Sequence, residues 1–177
     1  MKKLLIIILI CACILSCEKD DICEEGAAVI PQLIITFYDY TSPEDKKEVD
    51  NLLVFGVDDE NEVVLFTNSV VTTTDSIAFP LRTDSDITKI VFHKDYEIDD
   101  NDTPEDTNDD ILLGNQDLVN VSYLREPIYI SRACGYIYNY SDLNSSIETD
   151  TNNWILDTDI INSIIENETA AHVKIYH

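Results

Sequence analysis

The chain has 177 residues, with 11 Lys and Arg against 35 Asp and Glu, for a net charge of −24. That balance excludes a nucleic-acid binder, which needs a basic patch to neutralise phosphates, and it disfavours electrostatic adhesion to anionic lipid. Apolar residues make up 45% of the chain, enough for one hydrophobic core and too many for wholesale disorder, so a single domain is expected.

The first predicted element is an export signal. Lys2 and Lys3 form a positive n-region and Leu4 to Leu15 an apolar h-region, shorter than the ~20 apolar residues a membrane span needs. Ile14-Leu15-Ser16-Cys17 resembles a bacterial lipobox, although Leu15 is an unusual occupant of its position. Residues 1–16 are therefore expected to be a lipoprotein signal peptide. Cys17 becomes the lipidated N-terminus, carrying a covalent diacylglycerol and acyl lipid, and residues 17–28 form a tether. Cleavage leaves nine Lys and Arg against 35 acids, a charge of −26. Glu18-Lys19-Asp20-Asp21 resembles the short signal that follows the lipidated cysteine in surface-exposed lipoproteins of Bacteroidota. Lys19, Asp20 and Asp21 thus point to an outer-membrane address, facing outward, against the plainer reading of a solvated tether.

Residues 29–177 read as short apolar runs separated by turn chemistry, the pattern of an all-β protein. The expected fold is a single antiparallel β-sandwich, immunoglobulin-like or transthyretin-like. Leu33 to Tyr38 is a β-branched and aromatic strand stopped by the turn at Thr41-Ser42-Pro43. Leu52 to Val57 is apolar on both faces, as a central strand would be. Asp58 to Asn61 then turns the chain into Val63-Val64-Leu65-Phe66. Ser76 to Leu81 alternates with Ile77, Phe79 and Leu81 inward, and Pro80 favours an edge or a strand end. Ile87 to His93 is the next strand.

Asp95 to Asp110 is acidic and nearly devoid of apolar residues, predicting a long, mobile surface loop. Val119 to Tyr123 and Ile128 to Ile130 alternate again. Trp154-Ile155-Leu156 reads as strand. Ile160, Ile161, Ile164 and Ile165 have helical spacing after Thr158-Asp159, so residues 159–166 are open between helix and strand. His172 to Tyr176 is a terminal strand burying Val173 and Ile175, with His172 facing outward or on an edge.

With Cys11 and Cys13 in the signal and Cys17 acylated, Cys23 and Cys134 remain. An even pair beyond the inner membrane reads first as one disulfide. The rival, Cys134 as a nucleophile, lacks an evident His/Asn partner pattern.

Several patches together resemble a known family: CEKDDIC, PQLIITFYDY, VTTTDSIAFPLR, YISRACGY and AHVKIYH. They are similar to an uncharacterised family of small Bacteroidota outer-membrane lipoproteins, a domain of unknown function, over nearly the whole mature chain. The resemblance implies address and lineage and no catalytic residue. It also implies that Cys23 and Cys134 belong to the shared pattern.

The chemistry that remains is sparse. Asp99, Asp100, Asp102, Asp106, Asp109 and Asp110 offer hard oxygen ligands for a divalent cation, but the glycine of an EF-hand loop is missing. A solvated charge run is the ordinary reading, and no metal site is expected. Tyr136, Tyr138 and Tyr140 share a strand face by period 2, and with Tyr129 and Trp154 they could stack on a sugar, although such strips are more often core. His93, His172 and His177 fall in no catalytic motif. No enzyme activity and no cofactor are expected beyond the lipid. The expected function is a non-enzymatic binding or assembly module of the cell envelope, anchored in the outer membrane, with an outer-membrane β-barrel protein as candidate partner. The alternative is a surface lipoprotein that binds a glycan or a divalent cation.

Overall fold

A computed structural model describes residues 22–177, except 25, 27, 61 and 65–69. Ten strands run β1 (Leu33–Tyr38), β2 (Val49–Val57), β3 (Val63–Val64), β4 (Thr72–Thr74), β5 (Ser76–Phe79), β6 (Ile87–Asp99), β7 (Ile111–Ser131), β8 (Gly135–Ile147), β9 (Asp157–Ile160) and β10 (Val173–Tyr176). No helix occurs among the described residues. The protein is an all-β sandwich.

The strands form two sheets. One has the order β5-β1-β10-β9; the other has β3-β2-β6-β7-β8, with β4 also paired to β2. Period-2 alternation explains which side chains enter the core. Leu33, Ile35 and Phe37 of β1 and Val173 and Ile175 of β10 are all at most 2% exposed. They meet Ile90, Phe92, Val119, Val121, Tyr140 and Leu143 from the second sheet in one cluster. Fully burying each such side chain contributes about 1.5–3 kcal/mol. Phe37 and Phe92 lock the two layers with an edge-to-face contact, centroids 6.1 Å apart at 83°, the geometry favoured by the ring quadrupoles.

Several expectations need correction. The sheets are not wholly antiparallel, because β1 and β10 pair in parallel, with Ile35 opposite Val173 and Phe37 opposite Ile175. Trp154-Ile155-Leu156 is not a strand. It is an irregular segment whose Ile155 amide donates to the Asp117 carboxylate at 2.7 Å, and whose Trp154 indole donates to the Phe92 carbonyl at 3.3 Å. Within 159–166 the chain leaves β9 and bends, and Ile165 bridges to Tyr140 in both directions. Its isoleucines follow helical spacing, yet the backbone finds its partner on β8. The acidic loop is shorter than expected, because 95–99 continue β6 and, past an irregularity at 95–96, 97–99 pair with β7, Ile98 opposite Leu112 and Asp99 opposite Ile111. Backbone pairing holds this extension although its side chains are mostly exposed.

Two compact units divide the chain. The larger comprises residues 31–126 and 138–177 and contains the sandwich core. The smaller comprises residues 127–137 and the described residues up to Ile30.

Candidate functional site

In the smaller unit, β7 ends at Ser131, the turn Arg132-Ala133-Cys134 follows, and Gly135 opens β8 at φ +71°. That left-handed backbone suits glycine, which has no Cβ penalty there. The Cys134 amide donates to the Ser131 hydroxyl at 3.0 Å, an ordinary way for a serine to close a turn. The structure brings Cys23 and Cys134 together in a disulfide, with Cα atoms 4.8 Å apart across a sequence separation of 111. A loop of that size is worth ~4–5 kcal/mol in the chain-entropy account. Residues 22–24 and 29–30 are exposed, so a reduced native state would regain freedom there and the realised figure is smaller. The rings of Tyr129 and Tyr136 meet at 5.2 Å and 62°, and both are exposed, at 57% and 62%.

The tyrosine strip therefore splits. Tyr140 is fully buried and meets Tyr123 edge to face at 5.0 Å, and burial pushes its hydroxyl up to about 12. Tyr138 is half-buried against the core, and Trp154 lies in the same core. Only Tyr129 and Tyr136 of the proposed stacking set stand open to solvent.

In the larger unit a cleft of about 270 Å³ is lined by Gly56, Val57, Val64 and Thr88 together with the charged Asp58, Arg82, Asp84 and Lys89. The Arg82 guanidinium is held bidentately by Asp84, both contacts 3.0 Å, and by Asp59 at 2.8 Å. Those carboxylates raise the Arg82 pKa. A ring of bonds ties Arg82 and Thr88 of the lining to the buried Tyr123: the Arg82 amide donates to the Thr88 hydroxyl, Thr88 to Tyr123, and Tyr123 back to the Arg82 carbonyl, at 2.9, 2.6 and 3.0 Å. Each hydroxyl thereby has one donor and one acceptor role satisfied. The cleft offers an apolar wall and a neutralised cation, suited to holding an apolar group.

The acidic residues do not assemble. In the turn 100–110, Asp99 and Asp100 accept from the amides of Asn101 and Asp102, Asp106 accepts from Asn108, and Asp109 accepts from Thr103. The first three are Asx-turn bonds to an amide two residues on, and the last joins two side chains across the turn. Among the described residues, no three His, Cys, Asp or Glu side chains converge as a metal set. Asp102 and Asp110 lie in the same stretch without joining one.

The histidines are structural. His172 is 1% exposed and not on an outward edge, because its Nδ1 accepts from the Ile34 amide at 2.9 Å and draws the ring inward. His93 lies between the Leu113 carbonyl at 2.8 Å and the Gln116 amide at 3.1 Å. His177 packs edge-on against Phe37 and Trp154. Burial lowers the pKa of all three. One buried group lay beyond sequence reading: Asp117, 1% exposed, has a carboxylate oxygen with no hydrogen-bond partner, and burial raises its pKa. It lies in period-2 register with Val119 and Val121, but aspartate is almost never fully buried without a partner, and its partner, the Ile155 amide, is 38 residues away. Cys17, Lys19, Asp20 and Asp21, with residues 1–16 that the sequence reads as a signal peptide, lie outside the described residues.

Residues 51–177 match a family of unknown function (DUF6452). No curated protein matches the chain, and no solved structure does. The matched span holds most of the sandwich and the β7–β8 turn with Cys134, and on it the chain belongs to this family of unknown function.

Proposed function

We propose that the protein is a lipid-anchored, non-enzymatic binding or assembly module of the bacterial cell envelope, held in the outer membrane through acylated Cys17. The N-terminal sequence carries this reading: Lys2-Lys3, the apolar run to Leu15, and Ser16-Cys17. Two further observations support it. A disulfide between Cys23 and Cys134 suits an oxidising compartment beyond the inner membrane. The three histidines are occupied in structural bonds, which favours binding over acid–base chemistry. The Lys19-Asp20-Asp21 segment supports an outward-facing position, and the apolar cleft beside Arg82 gives an outer-membrane β-barrel partner a wall on which to seat an apolar side chain.

The test is fractionation of envelopes from cells expressing the full chain or its Cys17→Ala variant. Acyl chains supply the membrane affinity, so the parent should float with outer-membrane vesicles and the variant should be released as soluble protein. A variant that still floats contradicts the anchor.

A further inference from the structure

The stretch Pro127 to Ile137 is unusual for this chain. In a protein with 35 carboxylates it contains none, and its one charged residue is Arg132. Its exposed large apolar side chains are Ile128, Tyr129 and Tyr136, and Arg132 is exposed beside them. Tyrosine is the side chain of a membrane–water boundary, apolar over the ring and polar at the hydroxyl.

The disulfide gives this tip its location. Cys23 is six residues after Cys17, and six residues extend at most ~20–22 Å. Cys134 is bonded to Cys23 with a Cα separation of 4.8 Å. The turn between β7 and β8 is therefore leashed to the acylated residue by a few residues, where the polypeptide path alone would leave more than a hundred between them. A short leash makes the second contact effectively intramolecular, so a weak affinity is enough to populate it. Anionic headgroups repel the carboxylates elsewhere in the chain, and the carboxylate-free tip escapes that repulsion.

From this we propose that the Tyr129–Tyr136 pair is a membrane-docking element, which seats in the headgroup layer of the bilayer that anchors Cys17. The proposal rests on the lipoprotein reading above. The Cys23–Cys134 bond is the device that presents the pair, and its role is positional as well as stabilising.

The experiment uses the full acylated chain reconstituted in phosphatidylethanolamine–phosphatidylglycerol vesicles, some carrying brominated acyl chains that quench nearby indoles. Tyr129→Trp adds one indole to the native Trp154, whose buried emission in the parent is subtracted as reference. Flotation is measured on the same samples. The expected result is flotation, a blue-shifted signal from position 129, and loss of about half of that added emission to shallow bromines, as for a ring at the interface. Cys23→Ser with Cys134→Ser should still float while losing the quenching. Flotation with position 129 unquenched overturns the docking element and leaves the anchor intact, and it points to a protein partner for the tip. Quenching that survives the double serine variant overturns the role of the disulfide. Failure of the parent to float overturns the anchor, and the docking element with it.

Discussion

His93, His172 and His177 are each at most 9% exposed, and burial sets their titration. Desolvation disfavours the imidazolium, so each folded-state pKa lies below the usual 6.5. The unfolded chain then binds protons first as pH falls. Stability is complete above pH 6.5 and declines as pH drops through the window between 6.5 and the folded values, by up to ~1.4 kcal/mol per pH unit for each histidine. Asp117 acts with the opposite sign. Its folded pKa is raised above 3.8, so its burial costs nothing below 3.8 and the cost grows as pH rises through the folded value. His172→Asn separates the two effects, because the Asn side-chain oxygen can still accept from the Ile34 amide while carrying no titratable ring. Urea unfolding at a series of pH values should show the parent weakening below pH 6.5 and the variant with a shallower decline. Identical pH profiles would mean that His172 is not buried neutral.

At the scale of elements, the β6–β7 hairpin shows how backbone constraint shapes a sheet. Its register shifts between Lys94 and Glu97, where Asp95 takes φ +53°. Opposite this irregularity, Gly114 has φ +102°, and a Cβ there would lie 2.5 Å from the Lys94 carbonyl oxygen and 2.7 Å from both the Asp95 carbonyl oxygen and the His93 ring. Neither carbonyl can move without opening the ladder. Gly114→Ala should therefore cost roughly 2–4 kcal/mol, the sum of a forbidden φ and a backbone clash, read as a lower denaturation midpoint. A change below about 0.5 kcal/mol, the ordinary surface value, would show that this bulge is not as described.

Much of this was legible in the sequence. Leu33–Tyr38 is marked by its β-branched and aromatic composition, Val119–Tyr123 alternates cleanly because one face is buried, and Pro80 marks the end of β5, an edge strand. What the sequence hides is partnership between distant residues. Nothing local in Ile35 or Val173 announces a parallel pair joining the two ends of the sandwich sequence. Trp154 to Leu156 has strand composition but spends its hydrogen bonds on Asp117, Phe92 and Tyr176. The tyrosine strip illustrates the limit at the candidate site. Period 2 places Tyr136, Tyr138 and Tyr140 on one side of β8 and says nothing of depth, which runs from 62% exposed at Tyr136 to fully buried at Tyr140.

For the whole molecule, three features act together: the acidic composition, the Cys23–Cys134 crosslink among the described residues, and the N-terminal segment proposed above as the lipid anchor. The acidic charge opposes compaction through self-repulsion, and the two-layer core with the Cys23–Cys134 bond opposes that repulsion. The same bond ties the segment holding Cys23 to the turn beside Tyr129 and Tyr136, so in the proposed reading stabilisation and membrane docking share one device. The central claim is the anchor, and mass spectrometry of the N-terminal peptide of protein extracted from the cell envelope tests it most directly. The account predicts a peptide beginning at Cys17, with diacylglycerol on its sulfur and an acyl chain on its amine. A peptide that retains residues 1–16, or one that contains an unmodified Cys17 thiol, would contradict it.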